Sequence, residues 1–111
     1  MNSLTDIQQL SSNDLETLIQ KEEAGSFQIL DVRTPQEHHY LGYIPQAILM
    51  PLHTLPERQG ELDRNKTTVL VCEHGVRSMD ASLYLWHLGF RNLANLTHGM
   101  AAWTGIRVHS S

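Results

Sequence analysis

The chain contains one cysteine, Cys72, so no disulfide can form within it, and a reducing compartment, the cytoplasm, is the natural expectation. No apolar run is long enough to span a bilayer, which argues against a membrane partner. The opening residues, Met1-Asn2-Ser3-Leu4-Thr5-Asp6, lack the charged and apolar regions of a signal peptide. Basic residues are scarce: eight Lys and Arg against twelve Asp and Glu leave a net charge of -4, which gives no footprint for nucleic acid. Repeats, low-complexity segments and linkers are also missing. Metal-ligand spacing is absent too. His38 and His39 are adjacent and cannot face one point, and Cys72-x-His74 alone is too sparse, so neither a metal nor a cofactor is expected. What remains is an ordinary globular composition, 41% hydrophobic and 18% charged. Its 111 residues suit one domain over 1–111, with roughly two-thirds of the unfolded surface buried on folding.

Apolar segments alternate with helical signals. Ile7 to Leu10 is a candidate edge strand. Ser11 and Asp14 form a capping box for a helix carrying Leu15, Leu18 and Ile19, which Gly25 is expected to stop. Phe27 to Val32 reads as a strand. Thr34, Pro35 and Glu37 repeat the capping pattern for a short helix ending near Gly42. Ala47 to Met50 is a brief strand, Thr54 to Leu62 a helix interrupted near Gly60, Leu93 to Leu96 a last strand and Met100 to Trp103 a last helical turn. This alternation predicts an α/β fold with a parallel sheet.

The most informative stretch begins at Thr68. Thr68 to Val71 is β-branched and apolar, as in a buried strand, and Ala81, Leu85 and Leu88 repeat at helical spacing after Ser78. Cys72 therefore sits at the carboxyl end of a strand, before a helix N-terminus, where open α/β sheets bind ligands. Free N–H groups and the partial positive charge of a helix start favour a thiolate and bind anions. Arg77 adds a fixed charge, and Gly75 lets the backbone curl so that N–H groups point inward. Ser78 is expected to cap the helix and also to donate into the loop.

Four segments, in order, resemble the signatures of single-domain rhodaneses. They are Leu30-Asp31-Val32-Arg33 with Pro35 and Glu37; Gly42-Tyr43-Ile44-Pro45-Gln46-Ala47; Cys72-Glu73-His74-Gly75-Val76-Arg77-Ser78; and Gly99 with Ala102 and Trp103. Tyr43 stands where the family usually has histidine, Gln46 where glycine is frequent, and His98 where glycine is common. The resemblance implies a rhodanese-like α/β fold, a five-stranded parallel sheet flanked by helices on both faces. It also implies a sulfurtransferase that moves sulfane sulfur from thiosulfate or a persulfide to a thiol, cyanide or protein acceptor through a Cys72 persulfide. Cys72 is then the catalytic nucleophile and Arg77 the substrate anchor, with Glu73, His74, Gly75, Val76 and Ser78 forming the substrate cradle. Four residues separate Cys72 from Arg77, one fewer than in cysteine-dependent protein phosphatases, which suits a sulfur atom better than a phosphoryl group.

With no second cysteine, a persulfide must be resolved by an outside acceptor. A sulfur-carrier or redox-sensing module without efficient thiosulfate turnover is the alternative. Other residues carry modest expectations. Arg33 and Glu37, four apart, read as a local ion pair. Asp31 either orients the loop or binds nearby backbone N–H groups. His74 either strengthens the positive field when protonated or is an exposed loop residue. Trp86 and Trp103 read as packing residues. Glu73, beside the nucleophile, opposes an anionic donor, unless it points into solvent.

Overall fold

The computed structural model describes residues 7–22 and 25–109, so the reading of Met1 to Asp6 lies outside the described residues. Five strands form one parallel sheet: β1 (Ile7–Leu10), β2 (Phe27–Asp31), β3 (Ile48–Leu49), β4 (Thr67–Val71) and β5 (Leu93–Leu96), ordered β1-β5-β4-β2-β3. The helices are α1 (Ser12–Lys21), α2 (Pro35–Leu41), α3 (Leu55–Arg58) and α4 (Val76–His87). The segment expected as one helix over 54–62 is instead α3 flanked by 3-10 turns at Leu52–Thr54 and Gln59–Glu61. Met100–Ala102 is a 3-10 turn.

Strand alternation sorts the apolar side chains into two layers. Leu30, Val32, Leu70 and Leu93 pack with Leu55, Ala81 and Leu85 from α3 and α4 on one face. Phe27, Ile29, Val69, Val71 and Leu96 pack with Leu15 of α1 and with Met100 and Trp103 on the other. Each fully buried leucine, among them Leu30 of β2 and Leu70 of β4, contributes about 1.5–3 kcal/mol of transfer free energy. Both expected capping boxes form. Ser11 Oγ accepts from the Asp14 N–H and Thr34 Oγ1 from the Glu37 N–H, and each N3 carboxylate reaches back. Gly25 does not stop α1. The helix closes at Lys21, with the Glu22 N–H bonded to the Leu18 carbonyl.

This packing fixes the carboxyl edge of the sheet. The Val32 N–H donates to the Val71 carbonyl at 2.9 Å, which ties the exit of β2 to β4. The segment after β5 clamps the segment after β4: the Met100 and Ala101 N–H groups donate to the Cys72 and Glu73 carbonyls at 2.8 and 2.9 Å. Gly99, at φ 65, permits this approach, since a Cβ there would overlap the Glu73 carbonyl.

Candidate active site

β4 brings Cys72 to the sheet edge with 1% exposure. Three groups converge on its Sγ: the Gly75 N–H at 3.1 Å, the Ser78 N–H at 3.3 Å and the Ser78 Oγ at 3.2 Å. The two N–H groups belong to the N-cap and first turn of α4, where backbone donors lack intrahelical partners. Gly75 is the N-cap at φ 91, and a Cβ there would overlap the Thr97 carbonyl oxygen, so glycine is required. α4 thus begins earlier than expected. Ser78 lies inside its first turn and does not cap it, because left-handed Gly75 takes the cap position and the Ser78 hydroxyl is engaged by Cys72 and Asn95.

The charges around this loop are paired. Arg77 grips Glu37 with both terminal nitrogens, each at 2.7 Å. The hydrogen bonds from Arg77 pull the Glu37 carboxyl down to about 2, against the opposing effect of burial. Those to Glu37 likewise raise the Arg77 guanidinium. Arg33 is fully buried. Burial disfavours its charge, but hydrogen bonds and attraction from Asp31 and Glu73 outweigh it and raise its pKa. Arg33 Nη2 reaches Asp31 at 2.7 Å and the Gly42 carbonyl at 2.8 Å, and Nη1 reaches Glu73 at 3.1 Å. The expected Arg33–Glu37 pair therefore does not form. Arg33 precedes α2 and turns into the sheet edge, while Glu37 turns toward α4. Asp31 does both things foreseen for it, accepting the Arg33 backbone N–H at 3.1 Å and anchoring the arginine that holds the loop. Glu73 neither stands free beside the sulfur nor points into solvent, since Arg33 holds it.

The remaining loop residues form the rim. His74 is exposed and Val76 is 69% exposed. Beside Arg77, a cavity of about 290 Å³ is lined by Val32, Thr34, Pro51, Leu52 and His53. A larger one, about 480 Å³, runs along β1 and α1 and includes no residue of the cysteine loop. Trp103 packs in the core with its Nε1–H on the Ile106 carbonyl, and Trp86 carries Arg91 over its ring, so both tryptophans pack. Tyr43 stacks on His38 with ring centroids 3.9 Å apart, and burial lowers the His38 pKa. Among the described residues no cluster of three His, Cys, Asp or Glu could hold a metal. Sequence reasoning missed Asn95, which bonds to Ser78 behind the sulfur. Its signal was an amide in the middle of the apolar strand Leu93–Leu96.

Residues 12–106 match the rhodanese-like domain. A sulfurtransferase of Allochromatium vinosum is 37% identical over 75 residues, covering 68% of this chain and 69% of its own. The thiosulfate sulfurtransferase GlpE of Shewanella oneidensis is 35% identical over 86 residues, covering 78% and 84%. A crystal structure of a rhodanese-like domain protein from Staphylococcus aureus is similar with a TM-score of 0.84. It is 31% identical and covers 95% of this chain and 100% of that one.

Proposed function

The chain belongs to the rhodanese-like family of sulfurtransferases, and on that premise we propose that it transfers sulfane sulfur through a persulfide on Cys72. The observation that carries this reading is the convergence of two backbone N–H groups on one sulfur at a helix start. Such fixed dipoles stabilise charge on a sulfur without reorganising. In the transfer, Cys72 Sγ attacks the outer sulfur of the donor and forms an S–S bond. The bond from that sulfur to the rest of the donor breaks, and its electron pair leaves with the departing group. The Cys72 proton ends on that group through solvent. Thiosulfate would give hydrogen sulfite, and a persulfide anion would give a thiol. An external thiol, cyanide or protein then takes the outer sulfur, since no second cysteine exists to resolve it.

Arg77 is the anchor for the donor, held in place by Glu37, and His74 and Val76 form the rim that the donor meets. Gly75 and Ser78 shape the cradle. Glu73 tunes donor choice, because two arginines here, Arg33 and Arg77, face three carboxylates, Asp31, Glu37 and Glu73. That balance disfavours a dianion, and it favours the reading of this domain as a carrier loaded by a persulfide, with thiosulfate a weaker surrogate. The one cysteine suits a reducing cytoplasm, and no described helix is long and apolar enough to cross a membrane. Turnover from thiosulfate to cyanide, measured beside turnover from a low-molecular-weight persulfide, tests the proposal. Activity with either donor is expected. Activity with neither would refute transfer, and a strong preference for thiosulfate would refute the donor choice.

A further inference from the structure

Behind the sulfur runs a chain of hydrogen bonds whose direction is fixed at its far end. Gln9 Nε2 donates to the Ile7 carbonyl at 3.3 Å, so Gln9 Oε1 faces the other way and accepts. It receives the Thr97 hydroxyl at 3.1 Å and Asn95 Nδ2 at 3.0 Å. Asn95 Nδ2 also donates to the Gly75 carbonyl at 3.3 Å. Two backbone carbonyls, which can only accept, thus set both amides. Asn95 Oδ1 is left as an acceptor aimed at Ser78 Oγ, 2.5 Å away. A serine hydroxyl has one proton, and this bond takes it. Toward Cys72, Ser78 therefore presents a lone pair.

We infer that Asn95 is a positioning residue that holds the Ser78 hydroxyl as an acceptor for the Cys72 S–H, and so keeps the resting sulfur as a directed thiol. The inference rests on Cys72 being the reacting sulfur. In the thiol, S–H donates to Ser78 Oγ while the Gly75 and Ser78 N–H groups reach the sulfur from other sides. When the proton leaves, the hydroxyl must rotate to donate to the anion. Oδ1 of Asn95, a residue 3% exposed, then loses its donor, and an orphaned buried acceptor is costly. Asn95 thereby opposes early ionisation until the donor is in place. The charged and titratable groups of the loop and of the segments packed on it are Glu73 and His74 within it, Arg77 of α4 with its partner Glu37 of α2, Arg33 with Asp31 after β2, and the exposed His98 after β5. Among the described residues Asn95 bonds to Ser78, Gln9 and Gly75 and to none of these charges, so its replacement reaches the sulfur through the Ser78 hydroxyl or through Gly75, and a Ser78→Ala background separates the two.

The test is the pH profile of Cys72 alkylation by iodoacetamide in wild type, Asn95→Ala, the near-isosteric Asn95→Leu, Ser78→Ala and Ser78→Ala/Asn95→Ala. Freeing the hydroxyl to donate to the anion should move the Asn95 midpoint down by about one pH unit, a tenfold gain in reactive thiolate below it. On the Ser78→Ala background the Asn95 change should do nothing. A midpoint unmoved or raised, or a shift that persists without Ser78, would overturn the inference. Folding failure in the variants does not remove the test, because one cysteine gives one S–H stretching band in the infrared. In wild type held at a pH where the thiol is protonated, that band should lie below the position of free cysteine. A band at the free position would overturn the inference. Neither readout uses a sulfur donor, so failure of sulfur transfer and failure of this inference are separable.

Discussion

Arg77→Lys is expected to cost about tenfold in kcat/KM for thiosulfate, although it conserves charge. The structure shows why. Both terminal nitrogens of Arg77 are committed to the two oxygens of Glu37, each at 2.7 Å. A guanidinium has five N–H donors in a planar fork, so it can hold Glu37 and still present donors and charge to a ligand. A lysine ammonium is a single point. It either satisfies Glu37 or turns to the donor. A charge-assisted hydrogen bond contributes about 1.5–3 kcal/mol. Arg77 is 36% exposed, and solvent screening reduces the loss to roughly 1.4 kcal/mol, the tenfold quoted. Steady-state kinetics with thiosulfate and cyanide provide the assay. The loss should fall mainly in KM, with the denaturation midpoint nearly unchanged. Glu37→Gln, which keeps the capping-box acceptor but removes the charge, should lie between the two. Wild-type kinetics in Arg77→Lys would show that the anchor is elsewhere.

Cys72→Ser should abolish turnover with every donor while retaining the wild-type circular dichroism spectrum; residual turnover in a folded variant would remove Cys72 as nucleophile. Glu73→Gln should raise thiosulfate kcat/KM several-fold at low ionic strength and much less at high salt, since it removes one of three carboxylates. It should also cost stability of about 1–2 kcal/mol in denaturant melts, because buried Arg33 loses a charged partner but keeps Asp31. Equal rates at low salt would exclude Glu73 from donor choice. Glu37, lowered from the usual 4.5 to about 2, binds fewer protons folded than unfolded across that interval. Its ion-pair stabilisation is therefore complete above about pH 4.5 and is lost as pH falls through about 2. The stability difference between wild type and Glu37→Gln, about 1 kcal/mol at neutral pH after screening, should shrink below about pH 4.5 and vanish below about pH 2. A difference independent of pH would refute the pairing.

Features of the fold that depend on neighbours in sequence were legible. The capping boxes at Ser11 and Thr34 need only residues three apart, and the apolar runs of β2 and β4 declare strands buried on both faces. The cysteine loop was visible through its order of residue types, and the requirement for glycine at position 75 followed from the curl it had to make. The partners of the charges were not legible. Glu37 meets Arg77, and Arg33 meets Glu73, each across 40 positions, so helical spacing pointed to the wrong pair. Ser78 looked like a cap because serine often is one, yet the left-handed Gly75 moved the helix start upstream. The Asn95 and Gln9 amides lie on adjacent strands from opposite ends of the chain, a contact that only the sheet order creates.

Intact mass spectrometry of the purified chain, before and after incubation with thiosulfate or a persulfide donor, decides whether Cys72 carries a transferable sulfur. A gain of one sulfur atom is expected, confined to Cys72, absent in Cys72→Ser and removed by cyanide. No gain with either donor, or a gain that survives cyanide or persists in Cys72→Ser, would contradict transfer through Cys72.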